Sequence, residues 1–186
     1  MSELKALLDI VRSGDYLVLD TETTGLDSTS EIVSIAIIAS DGRPLLNTLC
    51  HPTRPIPPEA TIIHGITNEM VKNVLPFPSE LVQAIVQDKH VIIYNANYDV
   101  TMLYRSTQWA GMPFVEWGNL AQWHCAMESF AEVFGEVNTK YGGYKWQKLS
   151  IAAMHYGIQQ DGTHGALVDC LTTWKVVKAM AEAIKS

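Results

Sequence analysis

Between Tyr16 and Cys50 the chain carries three apolar segments so closely spaced that only short turns can join them. Tyr16-Leu17-Val18-Leu19 reads as a central strand. Glu31 to Ala39 (EIVSIAIIA) is rich in β-branched residues and predicts a second strand. Asp41-Gly42 is a hairpin signal, and Pro44 to Cys50 returns as a third. An antiparallel meander follows from that order. Downstream the pattern changes. Helices are expected over Ser79 to Gln87, Asn97 to Ala110, Lys148 to Tyr156 and Ala166 to Ile184, with strands at His90 to Tyr94 and Trp123 to Cys125, the latter followed by a helix through Phe134. Thr67 looks like the N-cap of a short helical turn, and Gly135 to Trp146 reads as a polar, aromatic loop. A meander followed by alternating strands and helices predicts an α/β domain. Its sheet is mixed, antiparallel on one side and parallel on the other, with helices on its faces.

The length of 186 residues suits one domain, 1–186, with 1–13 as an N-terminal helical extension. Apolar residues at 47% and charged residues at 18% exclude a disordered chain. No apolar run approaches the ~20 residues that cross a bilayer, so no membrane partner is expected. Met1 to Arg12 lacks the succession of a secretory signal, and Cys50, Cys125 and Cys170 form neither a disulfide framework nor a zinc knuckle. Reduced thiols in a cytoplasmic protein are the expectation. None of the six histidines falls in an HExxH pattern or a His/Cys cluster, which excludes a zinc hydrolase of that type. The formal net charge of −7 argues against a large nucleic-acid footprint.

The carboxylates point elsewhere. Asp20 and Glu22 sit two residues apart at the end of the first strand, and side chains so spaced share one face. Neighbouring carboxylates repel unless a cation lies between them, and hard divalent ions prefer oxygen ligands. A solvated strand end would also accommodate the pair. Asp99 falls in the first turn of a helix that follows a buried strand. Capping alone can account for it there, but the C-terminal ends of strands are also where α/β sites lie. His164, between Gly162 and Gly165, belongs to a loop. Asp169 is on the helix beyond, whose apolar arc comprises Leu167, Cys170, Leu171, Trp174, Val177 and Ala181. Asp169 shares a flank of that arc with Thr173, Val176 and Met180, where a carboxylate needs a partner.

Asp20-Thr-Glu-Thr-Thr-Gly-Leu26, Asn95-Ala-Asn-Tyr-Asp99 and His164-Gly-Ala-Leu-Val-Asp169 stand in the order of three exonuclease motifs. The chain resembles the DEDDh 3′–5′ exonucleases, from about Tyr16 to Lys178. The segment from Pro57 to Thr67, ending in HGIT, is similar to theirs as well. The resemblance implies a ribonuclease H-like five-stranded sheet. It also implies two divalent cations, Mg2+ or Mn2+, held by Asp20, Glu22, Asp99 and Asp169 about 3.5–4 Å apart across the scissile phosphate. His164 would be the general base. The sister subclass has Tyr four residues before the last Asp; here that residue is Gly165.

By the same resemblance Thr23, Leu26, His64 and Thr67 would line the pocket for the 3′-terminal nucleotide, with Asn95 and Trp146 as further substrate contacts. Family members often have His at Tyr94 and Phe at Tyr98, so specificity is where this chain would differ. Without the four site carboxylates the net charge is −3, still not basic, and a footprint of a few terminal nucleotides is expected. Lys140-Tyr141-Gly-Gly-Tyr144-Lys145-Trp146-Gln-Lys148 interleaves lysines with aromatics, a pattern suited to phosphate contact and base stacking. A solvated loop with Trp146 packed on the core is the other reading of that segment. The expected partner is a single-stranded or frayed 3′ end, DNA favoured over RNA, with nucleoside 5′-monophosphates released. Homodimers are common among stand-alone relatives. The alternative is a nuclease-like binding subunit that docks on a polymerase or another nuclease.

Overall fold

The computed structural model describes residues 3–159 and 165–184. Strands β1 (Leu17–Thr23), β2 (Ile32–Ala39) and β3 (Pro44–Leu49) form the expected meander, and β4 (His90–Ile93) and β5 (Gln122–Cys125) complete a sheet of order β3-β2-β1-β4-β5. β1 pairs antiparallel with β2 and parallel with β4, so β1 is the line where the sheet changes direction. The β2–β3 turn needs Gly42 twice over. Its φ is +86°, and a Cβ there would stand 3.3 Å from the Trp174 ring.

Helices cover both faces: α1 (Glu3–Ser13), α2 (Pro58–His64), α3 (Asn68–Val71), α4 (Ser79–Val86), α5 (Ala96–Trp109), α6 (Trp117–Leu120), α7 (Ala126–Phe134), α8 (Leu149–His155) and α9 (Ala166–Ala183). Strand alternation sorts the core. Val18, Ala36, Ile38, Ile92 and Tyr94 point to the face closed by α1, α7, α8 and α9. Leu19, Ile35, Ile37, Val91 and Ile93 point to the opposite face, where Val82 of α4, Met102 and Leu103 of α5 and Trp117 of α6 cover them. A smaller cluster of Val33, Ile56, Ala60, Ile66 and Val71 seats α2 and α3 beside the end of β1.

The elements match the sequence reading to within a residue or two at most ends, and the differences have physical causes. Helix α2 starts with a proline at its first position, where the missing N–H costs nothing. Its surroundings of four prolines conceal it from a pattern search. Helix α6 is a four-residue turn that seats the buried Trp117. On α9, the side shared by Asp169, Thr173, Val176 and Met180 is more than a flank: Thr173, Val176 and Met180 are fully buried together with Cys170 and Val177 of the predicted arc, whereas Leu167, Leu171, Trp174 and Ala181 are only partly buried. The sheet-facing side of α9 is therefore the one that carries Asp169. The three cysteines are unpaired, Cys50 and Cys170 buried. Among the described residues no helix is long and apolar enough to cross a membrane.

Candidate active site

The site is built where β1 and β4 end, the position at which parallel strands deliver side chains to a ligand. β1 runs through Asp20 and Glu22 in extended conformation, so both carboxylates leave the same face. The ladder shifts register between Glu22 and Thr23, a bulge that bends the strand at its functional end. From the same face, α9 crosses β1 and β2 closely because small residues meet there. Cys170 Sγ lies 3.3 Å from the Ala36 carbonyl oxygen and 3.7 Å from that of Val18. That close crossing brings Asp169, in the first turn of α9, to Asp20 and Glu22. Carboxylate oxygens of the three all lie within 4.8 Å of one another. Trans oxygen ligands of a magnesium ion are about 4.2 Å apart, so the set has the span of a hard-cation site.

Asp99 arrives from the other side. It is buried in the first turn of α5, where it accepts a hydrogen bond of 2.7 Å from the Thr21 hydroxyl. Alternation turns Thr21 away from its neighbours Asp20 and Glu22, toward α5. Asp99 is not one of the three clustered carboxylates, yet its charge acts on them. Burial pushes the Asp20 carboxyl well above the ordinary range, and the charges of Asp99, Asp169 and Glu22 push it further. Burial also raises Asp99, against the hydrogen bond from Thr21 that lowers it. Two acids on β1 and two in the first turns of α5 and α9 make a donor set that fits divalent cations, which would relieve the repulsion and the desolvation together.

Beside the acids is a groove of about 570 Å³, lined by Thr23, Leu26, Pro57, Ala60, His64 and Tyr98 among others. Leu26 is 87% exposed at its rim, an unusual position for a leucine, and the backbone on either side of it is anchored. The Tyr98 and Thr23 hydroxyls, 2.7 Å apart, reach the Gly25 carbonyl oxygen at 2.7 and 2.9 Å. The Arg105 guanidinium donates to the Asp27 carbonyl oxygen at 2.6 Å. His64 is 6% exposed, and its Nδ1 accepts from the Ile66 amide at 3.0 Å. Burial lowers its pKa, so the ring is neutral and its proton sits on Nε2. Nε2 is buried, and the Thr23 backbone beside it favours its proton.

Asn95 and Trp146 line a second groove, of about 350 Å³, with Leu26, Asn97, Tyr98 and Arg105. Thr67 stands apart from both grooves: its hydroxyl accepts from the Met70 amide as the cap of α3. His164 lies outside the described residues. Sequence reasoning missed Thr21, Arg105 and the hydroxyl of Tyr98, because each acts on a residue at least 73 positions away. Only the parity of Thr21 on the strand hinted at a separate role.

Residues 17–177 match the RNase_T family, whose description is exonuclease. The chain belongs to this exonuclease family. It is 41% identical over 174 residues to the uncharacterized exonuclease CP81 of Escherichia phage 186, with 90% of this chain and 89% of that protein covered. It is 30% identical over 166 residues to exodeoxyribonuclease 10 of Escherichia coli K12, covering 84% of this chain and 64% of that one. Among solved structures, exonuclease X in complex with 5′ overhanging duplex DNA superposes with a TM-score of 0.62 at 25% identity, over 90% of this chain and 92% of that chain. E. coli exonuclease I in complex with a dA16 oligonucleotide shares the fold, with a TM-score of 0.67 at 17% identity over 87% and 39% of the two chains. This RNase_T-family chain is thus a hydrolytic exonuclease on a mixed five-stranded sheet flanked by helices.

Proposed function

We propose that this chain is a 3′–5′ exonuclease that removes nucleoside 5′-monophosphates from single-stranded or frayed ends, DNA in preference to RNA. The observation that carries the reading is the meeting of Asp20, Glu22 and Asp169 within 4.8 Å, with buried Asp99 beside them, at the edge of a nucleotide-sized groove. Asp20, Glu22, Asp99 and Asp169 hold two divalent cations, magnesium or manganese. Bound there, such ions supply charge neutralisation at the scissile phosphate and a water acidic enough to attack at neutral pH.

The protein's own groups do the rest. Thr21 holds the carboxylate of Asp99 in one orientation. His164 takes the proton of the attacking water as general base, a role suited to a side chain that titrates near neutrality. In the first groove Leu26 packs against the terminal base or sugar, while His64 lines the wall beside it. A groove that closes against one terminal nucleotide favours a free end over an internal bond. The names of the relatives and the DNA in the related structures support DNA as the preferred polymer.

The test uses single-stranded DNA and RNA oligomers of the same sequence, labelled at the 5′ end, with magnesium or manganese. A descending ladder is expected with either ion, faster on DNA and lost with chelator, in Asp20→Ala and in His164→Ala. A ladder from the other end, seen with a 3′ label only, would overturn the direction. Intact oligomers with both ions would overturn the reading itself.

A further inference from the structure

Gly135 to Trp146, expected as a loop, contains a small hydrogen-bonded hairpin. Val137 bridges Tyr144, the Lys145 amide donates to the Glu136 carbonyl oxygen at 2.8 Å, and the Asn138 amide to that of Gly143 at 2.9 Å. Its base is tied by side chains. Lys145 Nζ pairs with Glu136 at 2.6 Å, and Gln147 Nε2 donates to the same carboxylate at 3.0 Å. The buried Tyr94, at the end of β4, donates its hydroxyl to the Gln147 carbonyl oxygen at 2.8 Å. The scaffold is polar, but the side chains it displays are not: Tyr141 is 77% exposed and Trp146 65%. An aromatic that could have packed on the core is instead held outward by hydrogen bonds, as contact surfaces for ligands are.

Position and charge say which ligand. Trp146 belongs to the second groove and also to a third, of about 500 Å³, with Asn138, Tyr141, Tyr144 and Lys145. Leu26 and Tyr98 belong to the first and the second. Three grooves therefore run on from the acid cluster, divided by two exposed apolar blades, Leu26 and Trp146. Within residues 136–148 three lysines against one glutamate give +2, in a chain whose net charge is −7. Lys140 Nζ sits 4.7 Å from the centre of the Tyr141 ring, which puts a cation and a stacking face on one ridge. The second groove mixes Arg105 with Glu128, Asn95 and Asn97, a lining for base edges rather than phosphate.

We propose that Trp146 and this hairpin form a stacking platform for the bases upstream of the scissile end, so that the enzyme grips an extended single strand across three successive grooves. The platform rests on the reading of the chain as a 3′–5′ exonuclease. Threading bases on either side of Trp146 demands unpaired, unstacked nucleotides, so the platform selects single strands and strengthens binding with length until the third groove is filled.

The experiment compares a dinucleotide with an oligothymidylate of about twelve nucleotides, within the span of single-strand sites. For Trp146→Ala, KM on the long strand is expected to rise roughly five-fold or more, the loss of one base stack, with kcat within about two-fold. Dinucleotide KM should rise less than long-strand KM, since a dinucleotide reaches Trp146 only from the second groove, and Trp146→Phe should restore most of the long-strand KM. An unchanged long-strand KM, or equal losses on both substrates, would overturn the platform. Anisotropy of the labelled long strand in chelator reads binding without turnover. Weaker binding by Trp146→Ala beside a wild type that cleaves nothing would keep the platform and defeat the exonuclease reading. Cleavage that is indifferent to Trp146 would do the reverse.

Discussion

The end of β1 and the hairpin after α7 are both polar, and they solve opposite problems. At the strand end, Asp20, Glu22, Asp99 and Asp169 come from elements up to 149 residues apart; Asp99 is buried and the other three are half-buried, close enough for their carboxylates to repel. The hairpin is mostly local: apart from the Tyr94–Gln147 hydrogen bond that anchors it, its bonds join residues within eleven positions, and its aromatic side chains face solvent. The first region stores unfavourable electrostatics that a ligand can relieve. The second stores exposed apolar surface that a ligand can cover. A chemical step needs the former and the grip on a strand needs the latter, so substitutions in the two should separate stability, kcat and KM.

Asp20→Asn should separate them most sharply. Activity is expected to fall about a thousand-fold or more, since several kcal/mol of charge stabilisation are lost. In chelator the same variant should be more stable by about 1 kcal/mol, or about 2–4 °C in Tm by scanning calorimetry. Manganese at about a hundred times its Kd should stabilise the wild type by about 2.7 kcal/mol and the variant far less. A variant no more stable than the wild type in chelator would mean that the acids are not frustrated.

Thr21→Val removes the hydroxyl that serves Asp99. About 1–3 kcal/mol of stability should go with it in chemical denaturation, and activity with it. Tyr98→Phe tests the support of Leu26: a few-fold rise in KM is expected with kcat nearly constant, as less than about 1.5 kcal/mol of hydrogen bonding is lost. His64 gives a pH signature. Its pKa is lowered in the fold from an ordinary 6.5, so its contribution is full above that value and lost as pH falls below it. The raised carboxyls of Asp20 and Asp99 act in the opposite sense as they take up protons, so His64 is read as a difference: on acidification through that window the wild-type denaturation midpoint should fall relative to that of His64→Gln. Trp146→Ala should have the smallest effect on stability, within about 0.5 kcal/mol, because so little of the ring is buried.

Much of the fold was legible because strand and helix periodicity are local. EIVSIAIIA could pack only as a strand buried on both faces, and all eight residues of β2 lie within it. The proline-rich stretch hid α2, since its first turn is built from residues that usually mark loops. On α9 the hydropathy of individual residues misled: Thr173 looks like a flank residue but is buried.

By itself the sequence determined the order of the elements, the shared face of Asp20 and Glu22, and the three motifs by which the chain resembles its family. These follow from the two-residue repeat of a strand and from residue identity, which need no distant partner. Only the tertiary structure decided which acids meet. Asp169 joins Asp20 and Glu22 because Cys170 and Ala36 let α9 approach β1, and Asp99 stands with Thr21 because α5 packs on the other face. The same is true of the path beyond them. Tyr94 anchors the hairpin at the end of β4, and that one long-range hydrogen bond sets Trp146 beside Leu26 rather than on the core. Local pattern specifies which face a side chain leaves from, but what it meets there depends on how closely separate helices can pack.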